Sequence, residues 1–187
     1  EEWQKLAYVK FTYSTGCRRA ETIQLLKEVV NYEPKRKTVT IIDEDGKEQE
    51  AESVSYKTHE IRCKGRSSVG KIRKLQFGQD VMDALKKWLE VRGDDDCPYV
   101  FVVKQKNGET RQLSANVLND WCIGEFSEIV GKRTTPHNFR RSRATNLVCY
   151  DHRALEIAQK LLGHESSETT QIYVIREDSD DADEAFI

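Results

Sequence analysis

The last third of the chain holds residue types at spacings suited to breaking a phosphodiester without a metal. They are Thr135-Pro136-His137-Asn138-Phe139-Arg140-Arg141-Ser142, then Leu161-Leu162-Gly163-His164, then Thr169-Thr170-Gln171-Ile172-Tyr173. Such chemistry needs a nucleophile in line, cations for the charge developing on the phosphoryl oxygens, and acid–base groups for two protons. Arginine suits the clamp because its fork of donors matches phosphate geometry and stays protonated. On a helix His137 and Arg140 are i,i+3 neighbours, so both can face one phosphate. Taken singly, each box has an ordinary explanation. An HxxR pair is common on helix surfaces, a Gly-His turn often caps a helix, and a lone tyrosine is usually core.

Two further segments carry cations in compatible patterns. Thr15-Gly16-Cys17-Arg18-Arg19-Ala20-Glu21 reads TGxRxxE, and Cys63-Lys64-Gly65 opens a loop between two strand-like runs. With HxxR, LGH and TTxxY following in order, the chain from Thr15 to Tyr173 resembles the tyrosine recombinase (phage integrase) family. Carried over residue by residue, the resemblance makes Tyr173 the nucleophile and Arg18 and Arg140 the phosphate clamp. It has His137 and His164 hydrogen-bond that phosphate, His137 also handling the tyrosine proton, and Lys64 protonate the departing 5′-oxygen. Glu21 holds the site together rather than doing chemistry. Each arginine box is a pair, and adjacent helical residues point roughly 100° apart, so one of each pair faces the phosphate. The TGxR and HxxR spacings select Arg18 over Arg19 and Arg140 over Arg141. Lys64 is preferred to Lys71 because Lys-Gly at the loop entry matches the family's pattern.

The resemblance implies an α+β fold, a mostly helical catalytic domain with a small three-stranded antiparallel sheet at one edge. It implies a domain over residues 1–176, an acidic tail over 177–187, and a family core-binding domain that is absent from this chain. It further implies 3′-phosphotyrosine chemistry without a cofactor or metal, on double-stranded DNA, by protomers that self-associate to a tetramer. The expected setting is the cytoplasm of a bacterial or phage-infected cell, with no membrane partner. Rival readings are a type IB topoisomerase-like relaxation activity, an inactive DNA-binding regulator, and an all-helical interaction module. Three features depart from the family pattern. Leu75-Gln76-Phe77 lacks a proline, Arg143 replaces a more usual apolar residue, and Asp43 to Tyr56 looks inserted.

Elements must bring these boxes together. Trp3, Leu6, Ala7, Val9, Phe11 and Tyr13 suggest a first helix, broken at Ser14-Thr15-Gly16. Ala20, Ile23, Leu25, Leu26 and Val29 suggest a second, stopped by Pro34. The period then changes to two. Thr38–Ile42, His59–Cys63 and Lys71–Leu75 read as three strands, with Asp45-Gly46 a turn signal. Asp80 to Val91 is amphipathic, Tyr99 to Val103 is extended, and Ser114 is a helix N-cap. Gly124 interrupts the segment that follows, and helical patterning runs from His137 to about Gly163.

Composition sets the bounds. In 187 residues, 37% hydrophobic, one core is affordable and no run is apolar enough to span a membrane. The five cysteines (Cys17, Cys63, Cys97, Cys122 and Cys149) are odd in number and never in a CxxC pair, against both a disulfide framework and a zinc site. Net charge is −2, but Glu177, Asp178, Asp180, Asp181, Asp183 and Glu184 crowd the tail. The rest of the chain is therefore mildly basic, as a phosphate-binding groove requires.

Overall fold

The computed structural model describes residues 2–42, 46–63, 71–151, 153–163 and 170–171. Helix α1 (Glu2–Thr15) is the central post. It buries Gln4, Ala7, Tyr8, Phe11, Thr12 and Thr15, a stripe at helical spacing. This phase differs from the apolar set expected from sequence, since Trp3 and Leu6 are 44% and 40% exposed. Two of the polar side chains on the inner face, Gln4 and Thr15, are held there by hydrogen bonds. Gln4 Oε1 accepts the Val102 N–H at 2.7 Å, and Thr15 Oγ1 donates to the Phe11 carbonyl at 2.7 Å. Tyr8 meets the rings of Phe101 and Phe139 edge-on, each with centroids 5.9 Å apart, which fixes α1 against the C-terminal helices. Replacing Gln4 by Leu should keep the shape but strand the buried Val102 N–H. A loss of about 1–3 kcal/mol in denaturant unfolding is expected, and no loss would show that bond to be idle.

The second helix, expected to run to Pro34, closes at Ile23 after little more than one turn (α2, Arg19–Ile23). Its apolar residues are buried in another way. Leu25 accepts from Val100 N–H at 2.8 Å, and Lys27 N–H donates to Pro98 O at 2.7 Å, so the backbone bonds go sideways to another strand-like segment. Pro34 instead precedes strand β1.

A three-stranded antiparallel sheet is present, with members that differ from the sequence expectation. It runs β1 (Lys35–Ile42), β2 (Glu48–Lys57), β5 (Gln76–Gly78), in that order. Strands β3 (Ile61–Cys63) and β4 (Lys71–Arg73) pair only with each other, Cys63 opposite Lys71. β2 was illegible because the β1–β2 ribbon projects into water. All of β1 is exposed, so no alternation of burial imprints the sequence. The stretch that looked inserted thus supplies most of β2, its residues 43–45 lying outside the described residues.

Helix α3 (Gln79–Arg92) packs on α1 through Val81, Met82, Leu85 and Trp88. A hairpin, β6 (Val102–Lys104) with β7 (Thr110–Gln112), leads to α4 (Ala115–Trp121), where Ser114 Oγ caps the Val117 N–H at 3.2 Å. A π-helical turn over Cys122–Phe126 surrounds Gly124, and α5 (Ser127–Val130) follows. The final helical region is not continuous. α6 (Pro136–Thr145) passes into a π-turn at Asn146–Tyr150, and α7 (Leu155–Leu162) starts afresh. Arg143, the unusual charge on α6, lies over the Tyr13 ring at 5.7 Å. Among the described residues no helix is long and apolar enough to cross a membrane.

Candidate active site

Three segments far apart in sequence meet around Arg140. Pro136 in the first turn and the Thr135–Asn138 cap, whose Oδ1 accepts Thr135 N–H at 2.8 Å, fix where α6 begins. That start sets His137 at the surface and Arg140, 2% exposed, in the interior about one turn further on. The Arg140 guanidinium donates through Nη1 to the Gly16 carbonyl and through Nη2 to the Leu162 carbonyl at 2.7 Å. One side chain thus joins the TGxR turn to the end of α7. Gly16 permits this closeness. Its φ is +59°, and a Cβ there would lie 2.4 Å from Leu162 Cδ2.

Arg18 stands at the N-terminus of α2 with its side chain 36% exposed. Its backbone N–H donates to Glu21 Oε2 at 2.9 Å and its Nη1 to Glu21 Oε1 at 3.0 Å. Arg19 points elsewhere, its Nη1 3.0 Å from Asn119 Oδ1 on α4. The Glu21 carboxylate is buried, and a second cation reaches it. Arg73 Nη2 donates to Oε2 at 2.6 Å. The same guanidinium donates through Nη1 to the Leu161 carbonyl at 3.0 Å and through Nε to Cys63 Sγ at 3.2 Å. Burial alone would raise the Glu21 pKa, but Arg73 and the hydrogen bonds from Arg18 outweigh it and hold the carboxyl below its ordinary value. Cys17 and Cys63 are buried beside this cluster, and burial pushes both thiols up, away from reactivity.

Of the six residues singled out in the sequence, Arg18, His137 and Arg140 are brought to one region. His137 feels Arg140, Arg141 and Arg18 as neighbouring cations. Lys64, His164 and Tyr173 lie outside the described residues. The segments that carry them are anchored at described ends. β3 and β4 pair on either side of residues 64–70 in the chain, Gly163 ends α7 with φ +66°, and Thr170 is fully buried. Lys71, the alternative lysine, is exposed on β4. Arg73 was missed by sequence reasoning, and for a reason. Strand alternation would turn Ile72 inward, yet Ile72 is 55% exposed and Arg73 is the inner side chain. The only signal was Glu21, an acid in a box of cations. Among the described residues no cluster of His, Cys, Asp or Glu could hold a metal ion.

His137 loses affinity for a proton first through partial withdrawal from water and then through the three arginines, so its pKa falls below the ordinary 6.5. In the free protein it is therefore neutral at pH 7 and can take up a proton. Its charged form is disfavoured by folding, so this group subtracts stability only as pH drops through 6.5 and below. NMR titration of the free protein should give a His137 midpoint under 6.5, moved upward by Arg18→Gln. A midpoint at or above 6.5 contradicts the arrangement.

Comparison with known proteins gives matches over most of the chain. The family model described as the phage integrase family matches residues 1–179. A prophage-derived recombinase-like protein of Bacillus subtilis, YomM, is 27% identical over 190 residues, covering 100% of this chain and 51% of its own. Tyrosine recombinase XerA of Pyrococcus furiosus is 34% identical over 106 residues, covering 56% of this chain and 35% of its own. Among solved structures, XerA recombinase superposes with a TM-score of 0.65 at 22% identity, covering 91% of this chain and 51% of that one. XerH bound to a palindromic difH substrate, in a post-cleavage complex, gives 0.63 at 24% identity, covering 96% and 44%. These likenesses show the catalytic-domain fold. The chain spans about half the length, or less, of the curated relatives it matches.

Proposed function

The chain belongs to the phage integrase family, and from that footing we propose that it is the catalytic domain of a site-specific DNA recombinase, cleaving and rejoining strands through Tyr173. The observation that carries the reading is the meeting of the two arginine boxes at His137. In this mechanism the Tyr173 oxygen attacks phosphorus, passing its proton to His137, while the bond to the 5′-oxygen breaks. Lys64 gives that oxygen a proton, so the products are a 3′-phosphotyrosine and a 5′-hydroxyl. Arg18 and Arg140, with His164, neutralise the charge that gathers on the non-bridging oxygens. One phosphoester replaces another, so the bond energy is retained and the reverse step reseals DNA. Relatives named as recombinases favour recombination over simple relaxation, and in this reading the exchange joins two sites of double-stranded DNA within a tetramer. Residues 1–176 would form the catalytic unit and 177–187 an acidic tail that avoids the DNA backbone.

Because the charge is supplied by side chains, cleavage should proceed in excess chelator. The direct test incubates the chain with a pool of randomised duplexes bearing a nick, then washes with detergent and sequences the DNA that stays attached. Capture of a defined sequence, undiminished by EDTA, is expected. Capture that vanishes with EDTA and returns with magnesium would sink the metal-free mechanism. No capture at all would sink the cleavage reading itself.

A further inference from the structure

We propose that Arg73 is a positioning residue for the phosphate clamp: it balances the buried charge of Glu21 so that Arg18 keeps its guanidinium directed to DNA. This rests on the cleavage reading above. Glu21 is 6% exposed and lies between two guanidinium groups, 3.0 Å from Arg18 Nη1 and 2.6 Å from Arg73 Nη2. The two cations differ in what else they do. Arg73 has an 11% exposed side chain and spends its remaining donors inside the protein, on Cys63 Sγ and the Leu161 carbonyl. Arg18 is 36% exposed and, among the described residues, its side chain bonds only through Nη1. A lone buried carboxylate would draw the nearest mobile cation wholly onto itself, because leaving its charge unpaired away from water is costly. With Arg73 already on Oε2, Arg18 needs to give Glu21 one donor and retains the others for a phosphate.

The same guanidinium ties three pieces of the site together. Cys63 ends β3 immediately before Lys64 in the chain, Glu21 belongs to the first arginine box, and Leu161 immediately precedes the LGH box. Arg73 and Arg140 hold the consecutive carbonyls of Leu161 and Leu162, acceptors that an α-helix leaves without partners in its last turn. The fit around Arg73 is close. A Cβ on Gly163 would lie 2.9 Å from Arg73 Nη1, and φ there is +66°. The glycine of the LGH box thus leaves room for this arginine as well as ending the helix.

The test is a double-substitution cycle on single-turnover adduct formation, using the duplex captured by the unaltered chain. Arg73→Gln should slow adduct formation on the order of 100-fold, the scale of a misplaced reacting group, while noncovalent affinity for the same duplex changes far less. Glu21→Gln added to Arg73→Gln removes the charge that Arg73 balances. It should restore at least about tenfold of the rate, within the coupling expected of residues in direct contact. Arg73→Lys, which keeps the charge with fewer donors, should fall between. Thermal unfolding of each variant confirms that the rates compare folded proteins. An Arg73→Gln rate within threefold of the unaltered chain overturns the proposal. So does a double variant no faster than Arg73→Gln alone, since Arg73 would then act by some route other than Glu21. If the unaltered chain forms no adduct, the cleavage reading falls and this inference with it, a result distinct from the other two.

Discussion

Replacing Tyr173 by Phe should abolish covalent attachment to DNA, by at least about 10⁴-fold, as expected when the nucleophile of a concerted site is removed. The substitution deletes one oxygen and keeps the ring, so folding and noncovalent DNA affinity should change little. The case comes from what surrounds the position in the chain. Thr170 of the same box is fully buried, so this stretch is anchored to the body of the domain three residues before the tyrosine. Among the described residues Arg140 bonds the Gly16 carbonyl beside Arg18, and desolvation and these arginines hold the His137 pKa below its ordinary value, which suits it to take up a proton. The proposed chemistry then requires an oxygen nucleophile, the part assigned to Tyr173. The check is gel retention of labelled DNA after protease-free denaturation, with protease treatment of a parallel sample to prove that any shift is protein. An adduct that survives Tyr173→Phe means another side chain attacks, and the family's motif has been carried onto the wrong residue.

Parts of the fold were legible in this sequence and parts were not, and the two groups differ in physical kind. Motif spacing selected Arg18 and Arg140 from two arginine pairs, and the structure turns Arg19 away to Asn119. Helix α3 and the Ser114 cap were readable because they follow strong local rules, amphipathic period in one case and a side-chain acceptor in the other. The failures share a physical cause, which is that long-range bonds overrode local pattern. Leu25 and Leu26 look helical, but the segment at Pro98–Val100 takes their backbone bonds. β2 is polar over most of its length because that part lies in a solvated ribbon, so its pairing with β1 and, at its end, with β5 reveals it. In α1 the buried face carries Gln4, Thr12 and Thr15 beside Ala7 and Phe11, so hydropathy alone placed only part of that face. Arg73 is the most consequential omission. A charged residue turned inward on a three-residue strand leaves no periodic trace, and its partner Glu21 is 52 residues away.

Arg140 should prove the most damaging position among the described cations, because its loss attacks fold and chemistry together. Its two Nη groups satisfy the carbonyls of Gly16 and Leu162, and it is 2% exposed. Arg140→Gln keeps polarity but not the fork, so it can serve at most one of these acceptors. The other carbonyl is left buried without its partner, which predicts a destabilisation of about 2–4 kcal/mol in denaturant unfolding. The turn between α1 and α2 and the end of α7 also lose their common tie, and these carry Arg18 and the LGH box. Adduct formation should therefore fall on the order of 10³-fold or more even under conditions where the variant is fully folded, the scale of losing one fixed donor to a developing oxyanion. Arg140→Lys separates the two effects. It retains the positive charge but offers a single ammonium in place of two divergent donors. If Arg140 acts through charge alone, Lys restores most of the rate; if the fork matters, as the paired carbonyls argue, Lys recovers stability only in part and the rate hardly at all. Arg141→Ala is the matching control from the same box, and it should cost the rate far less than either Arg140 variant. Equal losses for Arg140→Gln and Arg141→Ala would mean that the HxxR spacing does not decide which arginine serves the phosphate.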